Sequence, residues 1–145
     1  MKSLPSFLLI TVLFCACGQK QPIYSTKAGA IKGYDPVTYF MDSKPIKGDK
    51  AYSCEWMEAT WYFASQENRD IFESDPFAYA PQFGGYCAYG VAMGDLVKIE
   101  PDAWKIVDGK LYLNYDAKYQ KEWEANQQTF IAQAEENWPK LKGEN

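Results

Sequence analysis

The chain contains no histidine. That absence removes Ser-His-Asp and Cys-His nucleophile pairs, any imidazole general base, and zinc or copper sites built on imidazole. Cysteine is scarce as well. Of the four in the chain, Cys15 and Cys17 lie in the leading segment, and only Cys54 and Cys87 follow it. These two are far apart and in no C-x-x-C arrangement, which excludes a close-spaced metal knuckle. Long hydrophobic runs are missing too: the leading run from Phe7 to Phe14 is too short for an ordinary membrane span. There is no basic excess, since 15 Lys and Arg face 19 Asp and Glu for a net charge of −4. That balance argues against nucleic acid or anionic lipid as an electrostatic partner. Carboxylates occur in no spacing that names a glycosidase pair or a calcium loop, so no catalytic acid or base is assigned. What the chain does have is aromatic residues, 17% of the total and recurring from Tyr34 to Trp138. They supply the main core material of a globular domain.

The leading segment changes character abruptly at Cys17. Lys2 gives a positive start, Phe7-Leu8-Leu9-Ile10-Thr11-Val12-Leu13-Phe14 an apolar run, and Phe14-Cys15-Ala16-Cys17-Gly18 a small residue ahead of a cysteine. This resembles a lipoprotein signal peptide ending in the lipobox cut by the lipoprotein signal peptidase. The resemblance implies a signal over residues 1–16, a diacylglycerol thioether and an N-acyl chain such as palmitate on Cys17, and a mature protein held outside the cytoplasm. That protein would sit on the cell membrane or the outer membrane of a bacterial envelope. Phe14 stands where leucine is usual, and an alternative cut releasing a soluble secreted protein stays open. Cleavage leaves one domain's length of chain, one charge more negative once Lys2 is gone. Residues 17–29 are polar and aperiodic and read as a tether, with the domain over 30–142.

Within the domain, Asp35-Pro36 places an N-cap before a short helical turn at 37–40. Residues 51–56 and 60–63 read as a hairpin about Met57-Glu58-Ala59, and Ser65 caps a helix over 66–73 that Asp75-Pro76 interrupts. Gly84-Gly85 lets the backbone enter a close-packed or ligand-approaching geometry, and Tyr86 to Met93 reads as a short helix. Residues 103–107 and 110–114 make a second hairpin about Asp108-Gly109, which suits a type I′ turn. Asp116 then caps one long helix ended by Pro139, with Tyr119, Trp123, Phe130, Ala134 and Trp138 on a single stripe. The mixed elements predict an α+β fold: small antiparallel hairpins packed with short helices and a long C-terminal amphipathic helix.

Residues 30–140 carry a family resemblance. Thr60-Trp61-Tyr62-Phe63-Ala64-Ser65-Gln66-Glu67-Asn68-Arg69, Asp75-Pro76, Tyr79-Ala80-Pro81-Gln82-Phe83-Gly84-Gly85-Tyr86-Cys87-Ala88 and Val107-Asp108-Gly109-Lys110-Leu111-Tyr112-Leu113-Asn114-Tyr115 occur in order. Together they resemble the YHS domain family, here in an exported lipoprotein member. Short YHS modules attached to copper-transporting ATPases resemble treble-clef knuckles with a Phe-Cys-Ser-x-x-Cys stretch. The matching stretch here is Phe63-Ala64-Ser65-Gln66-Glu67-Asn68, so Ala64 and Asn68 stand where the thiols would be, and Ser53 lies near the missing histidine. The resemblance therefore implies the fold without the knuckle.

The candidate ligand-binding residues are Cys87, with Gly84, Gly85, Tyr86 and Tyr89 around it, and Cys54. A partly exposed Cys87 at a helix start would have a lowered pKa and could react or bind Cu(I). It reads more simply as a buried filler, and a disulfide with Cys54 is also open. Met57 and Met93 are possible soft ligands that read more simply as packing residues. Trp56, Trp61, Tyr62, Tyr86, Tyr89 and Tyr112 would line a pocket for a small apolar or planar ligand, with core packing as the alternative. The main expectation is a lipid-anchored, non-catalytic binding or accessory module. It takes an unknown small molecule or envelope protein as partner, with no metal site assigned and no identified cofactor beyond weak Cu(I). Against it stand an extracytoplasmic Cu(I) handler using Cys87 and Cys54, and a thiol redox protein.

Overall fold

A computed structural model describes residues 23–143, so the signal, Cys17 and the first part of the tether lie outside the described residues. Among the described residues the architecture is α+β, built from three separate two-stranded antiparallel sheets and a set of helices. The first sheet pairs β1 (Ser25–Thr26) with β2 (Gly29–Ala30) inside the stretch expected to be tether. Tyr24 N–H donates to the Gly84 carbonyl at 2.8 Å, and Ile31 N–H donates to the Tyr24 carbonyl at 2.9 Å. Ile23 and Tyr24 also pack on the core, so residues 23–29 are part of the domain's structure.

Asp35 caps α1 (Pro36–Met41), with Pro36 at the first helical position as the sequence suggests. The second sheet joins β3 (Asp49–Trp56) to β4 (Ala59–Phe63). Ala59 opens β4, so the turn is the two residues Met57 and Glu58, at φ 50° and 59°. This is the positive-φ geometry of a type I′ turn made without glycine. Along β4, Ala59, Trp61 and Phe63 alternate inward. Ser65 caps α2 (Gln66–Ser74), accepting from Asn68 N–H at 3.1 Å. A single turn of helix, α3 (Pro76–Tyr79), follows. After a 3₁₀ turn at Gln82–Gly85 comes α4 (Ala88–Ala92). The third sheet pairs β5 (Glu100–Val107) with β6 (Lys110–Asn114) around Asp108-Gly109, both at positive φ.

Strand β6 is buried on both faces and divides the core in two. Leu111 and Leu113 join Ile31, Val37, Tyr39, Trp61, Phe63 and Phe72. Tyr112 joins Phe83, Val91, Trp123 and Ala134 on the other side. The C-terminal segment departs from the single helix expected. It forms α5 (Ala117–Ala125), capped by Asp116, and α6 (Gln127–Leu141), separated at Asn126, whose φ of −137° and ψ of 42° are not helical. Pro139 lies inside α6 and does not end it; its ring costs one backbone bond in a final turn. Across the break Trp123 and Ala134 of the expected stripe are fully buried, with Phe130 and Trp138 packed on the same cluster, whereas Tyr119 does not join it. Among the described residues, no helix is long and apolar enough to cross a membrane.

Candidate functional site

The position where the resemblance places knuckle thiols holds a buried carboxylate instead. Asp35 is completely buried. Its Oδ1 accepts from Val37 N–H at 2.8 Å, and its Oδ2 accepts from Ala64 N–H at 2.8 Å and Asn68 Nδ2 at 2.7 Å. Ala64 and Asn68 thus serve as N–H donors to one anion, which ties the start of α1 to the junction of β4 and α2. Three donors satisfy a buried carboxylate without a cation. A soft metal needs lone pairs at these two positions, and the groups there present protons, so Ala64 and Asn68 do not fit a soft metal. Among the described residues, no cluster of three or more Cys, Asp or Glu could hold a metal ion.

The two thiols are free. Cys54 lies opposite Trp61 on the β3–β4 ladder, half-buried. Desolvation, reinforced by Glu73, pushes its pKa up to about 11, with Arg69 acting in the opposite direction. Cys87 is buried at the N-cap of α4, where its sulfur accepts from Gly90 N–H at 3.4 Å and its thiol donates to Asn114 Oδ1 at 3.6 Å. Burial pushes this thiol up as well, and backbone N–H groups offset it only in part. Of the readings open for Cys87 from sequence, the buried one holds and the partly exposed one with a lowered pKa does not: the α4 terminus is packed over, and desolvation outweighs it. Neither a disulfide nor a hydrogen bond joins the two sulfurs.

Gly84 and Gly85, at φ 62° and 81°, carry the left-handed turn that starts at Phe83. A side chain on Gly85 would meet Ile31 Cγ2 at 2.6 Å. Of the two geometries open from sequence, Gly85 adopts the close-packed one. Tyr86 stacks edge-on against Tyr24 at 5.5 Å, and burial raises its phenol pKa. Trp61 and Tyr112 are core residues.

Tyr89 has a different setting. It lines a cleft of about 300 Å³ between the start of α4, the loop through Asp95 and Val97, and the start of α5. Tyr115 and Tyr119 form the facing wall, with Met93 exposed at the rim and Cys87 also contributing to the lining. The rings are set against one another: Tyr89 and Tyr119 at 5.3 Å, Tyr115 and Tyr119 at 5.6 Å and perpendicular. Lys98 and Lys118 lie over the Tyr115 and Tyr119 rings. Asn114 closes the network beside the cleft. Its Oδ1 takes the Tyr89 N–H at 3.1 Å as well as the Cys87 thiol, while its buried Nδ2 has no partner among the described residues. Sequence reading singled out Tyr89 and Cys87 but not Tyr115, and it placed Tyr119 on the core stripe. The available signal was the four-residue spacing of Tyr115 and Tyr119 around the Asp116 cap.

Residues 37–83 match the family model of the YHS domain, which supports a YHS domain over that stretch. The match runs from α1 through the second sheet, α2 and α3 to Phe83. It stops short of every residue lining the tyrosine cleft. No curated protein and no solved structure matches the chain.

Proposed function

We propose that this is a lipid-anchored extracytoplasmic binding module, non-catalytic, whose ligand is a small planar or apolar molecule seated in the tyrosine cleft. The observation that carries the reading is the cleft itself: about 300 Å³, the lower end of small-molecule sites, walled by three tyrosines and bearing one carboxylate, Asp95. The thiols favour binding over redox chemistry, since both are held in the unreactive protonated form. Location rests on the segment ending at Cys17, and Cys17→Ser should release the protein from the membrane or leave it unprocessed.

The test is a thermal-shift screen of small aromatic and heteroaromatic compounds against the wild type and Tyr119→Ala. Compounds that raise Tm only in the wild type support the cleft. Shifts that survive Tyr119→Ala place the ligand elsewhere, and stabilisation by Cu(I) that vanishes in Cys87→Ser would promote the metal-handling alternative.

A further inference from the structure

A second surface feature, part aromatic and part polar, lies away from the cleft and shares no lining residue with it. It is a groove of about 140 Å³ whose walls include Ile23, Trp56, Met57, Phe77, Pro81 and Trp138. Phe77 is the most exposed large hydrophobic side chain among the described residues, at 71%. Its ring is held edge-on to Trp56 at 5.2 Å, and Trp56 in turn meets Phe72 and Trp61 of the core. A line of rings therefore runs from the interior to the surface and ends in an aromatic side chain braced in water. The hairpin tip at Met57, with its left-handed backbone, stands beside it.

The chain enters the domain at this groove, since Ile23 is part of its wall. Five residues separate Cys17 from Ile23, and the six Cα steps between them span only about 20 Å when fully extended. On the lipid-anchor reading, on which this inference rests, the groove is confined close to the bilayer surface. Gly18-Gln19-Lys20-Gln21-Pro22 carries no aromatic or large aliphatic side chain to cover the Phe77 and Trp56 rings. We infer that the face formed by Phe77, Met57, Trp56 and Ile23 docks on the lipid surface, with Phe77 and Met57 entering the headgroup and acyl boundary. Apolar side chains at that boundary typically bury about 5–10 Å deep. Docking would fix the domain's orientation on its anchor.

The test uses the lipidated protein in phosphatidylcholine vesicles, carrying an environment-sensitive dye on Phe77→Cys. Met57→Cys is the second reporter, and Met93→Cys, exposed at the tyrosine cleft, is the control. At pH 7 the half-buried Cys54 and the buried Cys87, both with raised thiol pKa, leave the introduced thiol as the more reactive one. The expected result is blue-shifted emission at 77 and 57, quenched by acyl-brominated lipid, with water-like emission at 93. A blue shift without quenching means that protein covers the groove and overturns the inference. Water-like emission at 77 on vesicle-bound protein also overturns it while the anchor stands. Protein that does not stay with the vesicles removes the anchor reading and this face with it.

Discussion

Replacing Asp35 with alanine should cost this domain a large share of its stability, because three N–H groups converge on one buried carboxylate. Losing the helix cap at Val37 costs about 1 kcal/mol. Stranding the Ala64 N–H, and turning the Asn68 amide away from its charged acceptor, adds about 1–3 kcal/mol each. Allowing for relaxation, Asp35→Ala should lose about 3–5 kcal/mol, against a total of about 5–15 kcal/mol for an ordinary domain. Asp35→Asn should recover little, since its amide nitrogen or oxygen can serve only some of three donors. Asn68→Ala should cost about 1.5–3 kcal/mol, the range for a hydrogen bond to a charged group. Urea denaturation followed by tryptophan fluorescence gives each value as a change in midpoint at constant m. The double variant Asp35→Ala/Asn68→Ala should lose less than the sum of the two singles, because the second change removes a donor already orphaned. An Asp35→Ala loss under about 0.5 kcal/mol, or strict additivity in the cycle, would refute the claim that this carboxylate holds α1 to α2.

Trp123→Ala should cost about 3–5 kcal/mol through the cavity it leaves, and exposed Lys121→Ala should cost little; equal denaturation midpoints would sink this packing. Cys54 should alkylate slowly at neutral pH and faster towards pH 11. Because its folded pKa lies above the unfolded one, the stability it lends is full below the ordinary thiol range and fades as pH rises through about 11. Cys54→Ala should flatten that alkaline decline in urea midpoint, and an unchanged slope would contradict the assignment. Chelator competition on the reduced protein should find no tight zinc site, whereas stoichiometric binding at nanomolar affinity would mean that a ligand set has been overlooked.

The parts of this fold that were legible in the sequence are those where a residue's own chemistry dictates its geometry. Asp35-Pro36, Ser65 and Asp116 cap helices because short polar side chains reach orphaned N–H groups, and Asp108-Gly109 turns because it tolerates positive φ. The parts that were not legible are set by contacts distant in sequence. Ser25 to Ala30 pair although nothing in their composition alternates, because Tyr24 is fastened to Gly84. Asn126 breaks the last helix with no glycine or proline to announce it. The cleft escaped for the same reason, since its wall combines Tyr89 with Tyr115 and Tyr119 from beyond the third sheet. A reactive Cys87 stayed open from sequence because a helix start lowers a thiol pKa, and the packed structure shows that the buried reading prevails.

The most direct test of the binding-module reading is native mass spectrometry of the lipidated protein extracted from its own envelope, alongside Tyr119→Ala. The account predicts a stoichiometric small organic molecule on the wild type, absent from the variant, with no metal adduct on either. A copper ion retained by both proteins and lost only in Cys87→Ser would contradict it.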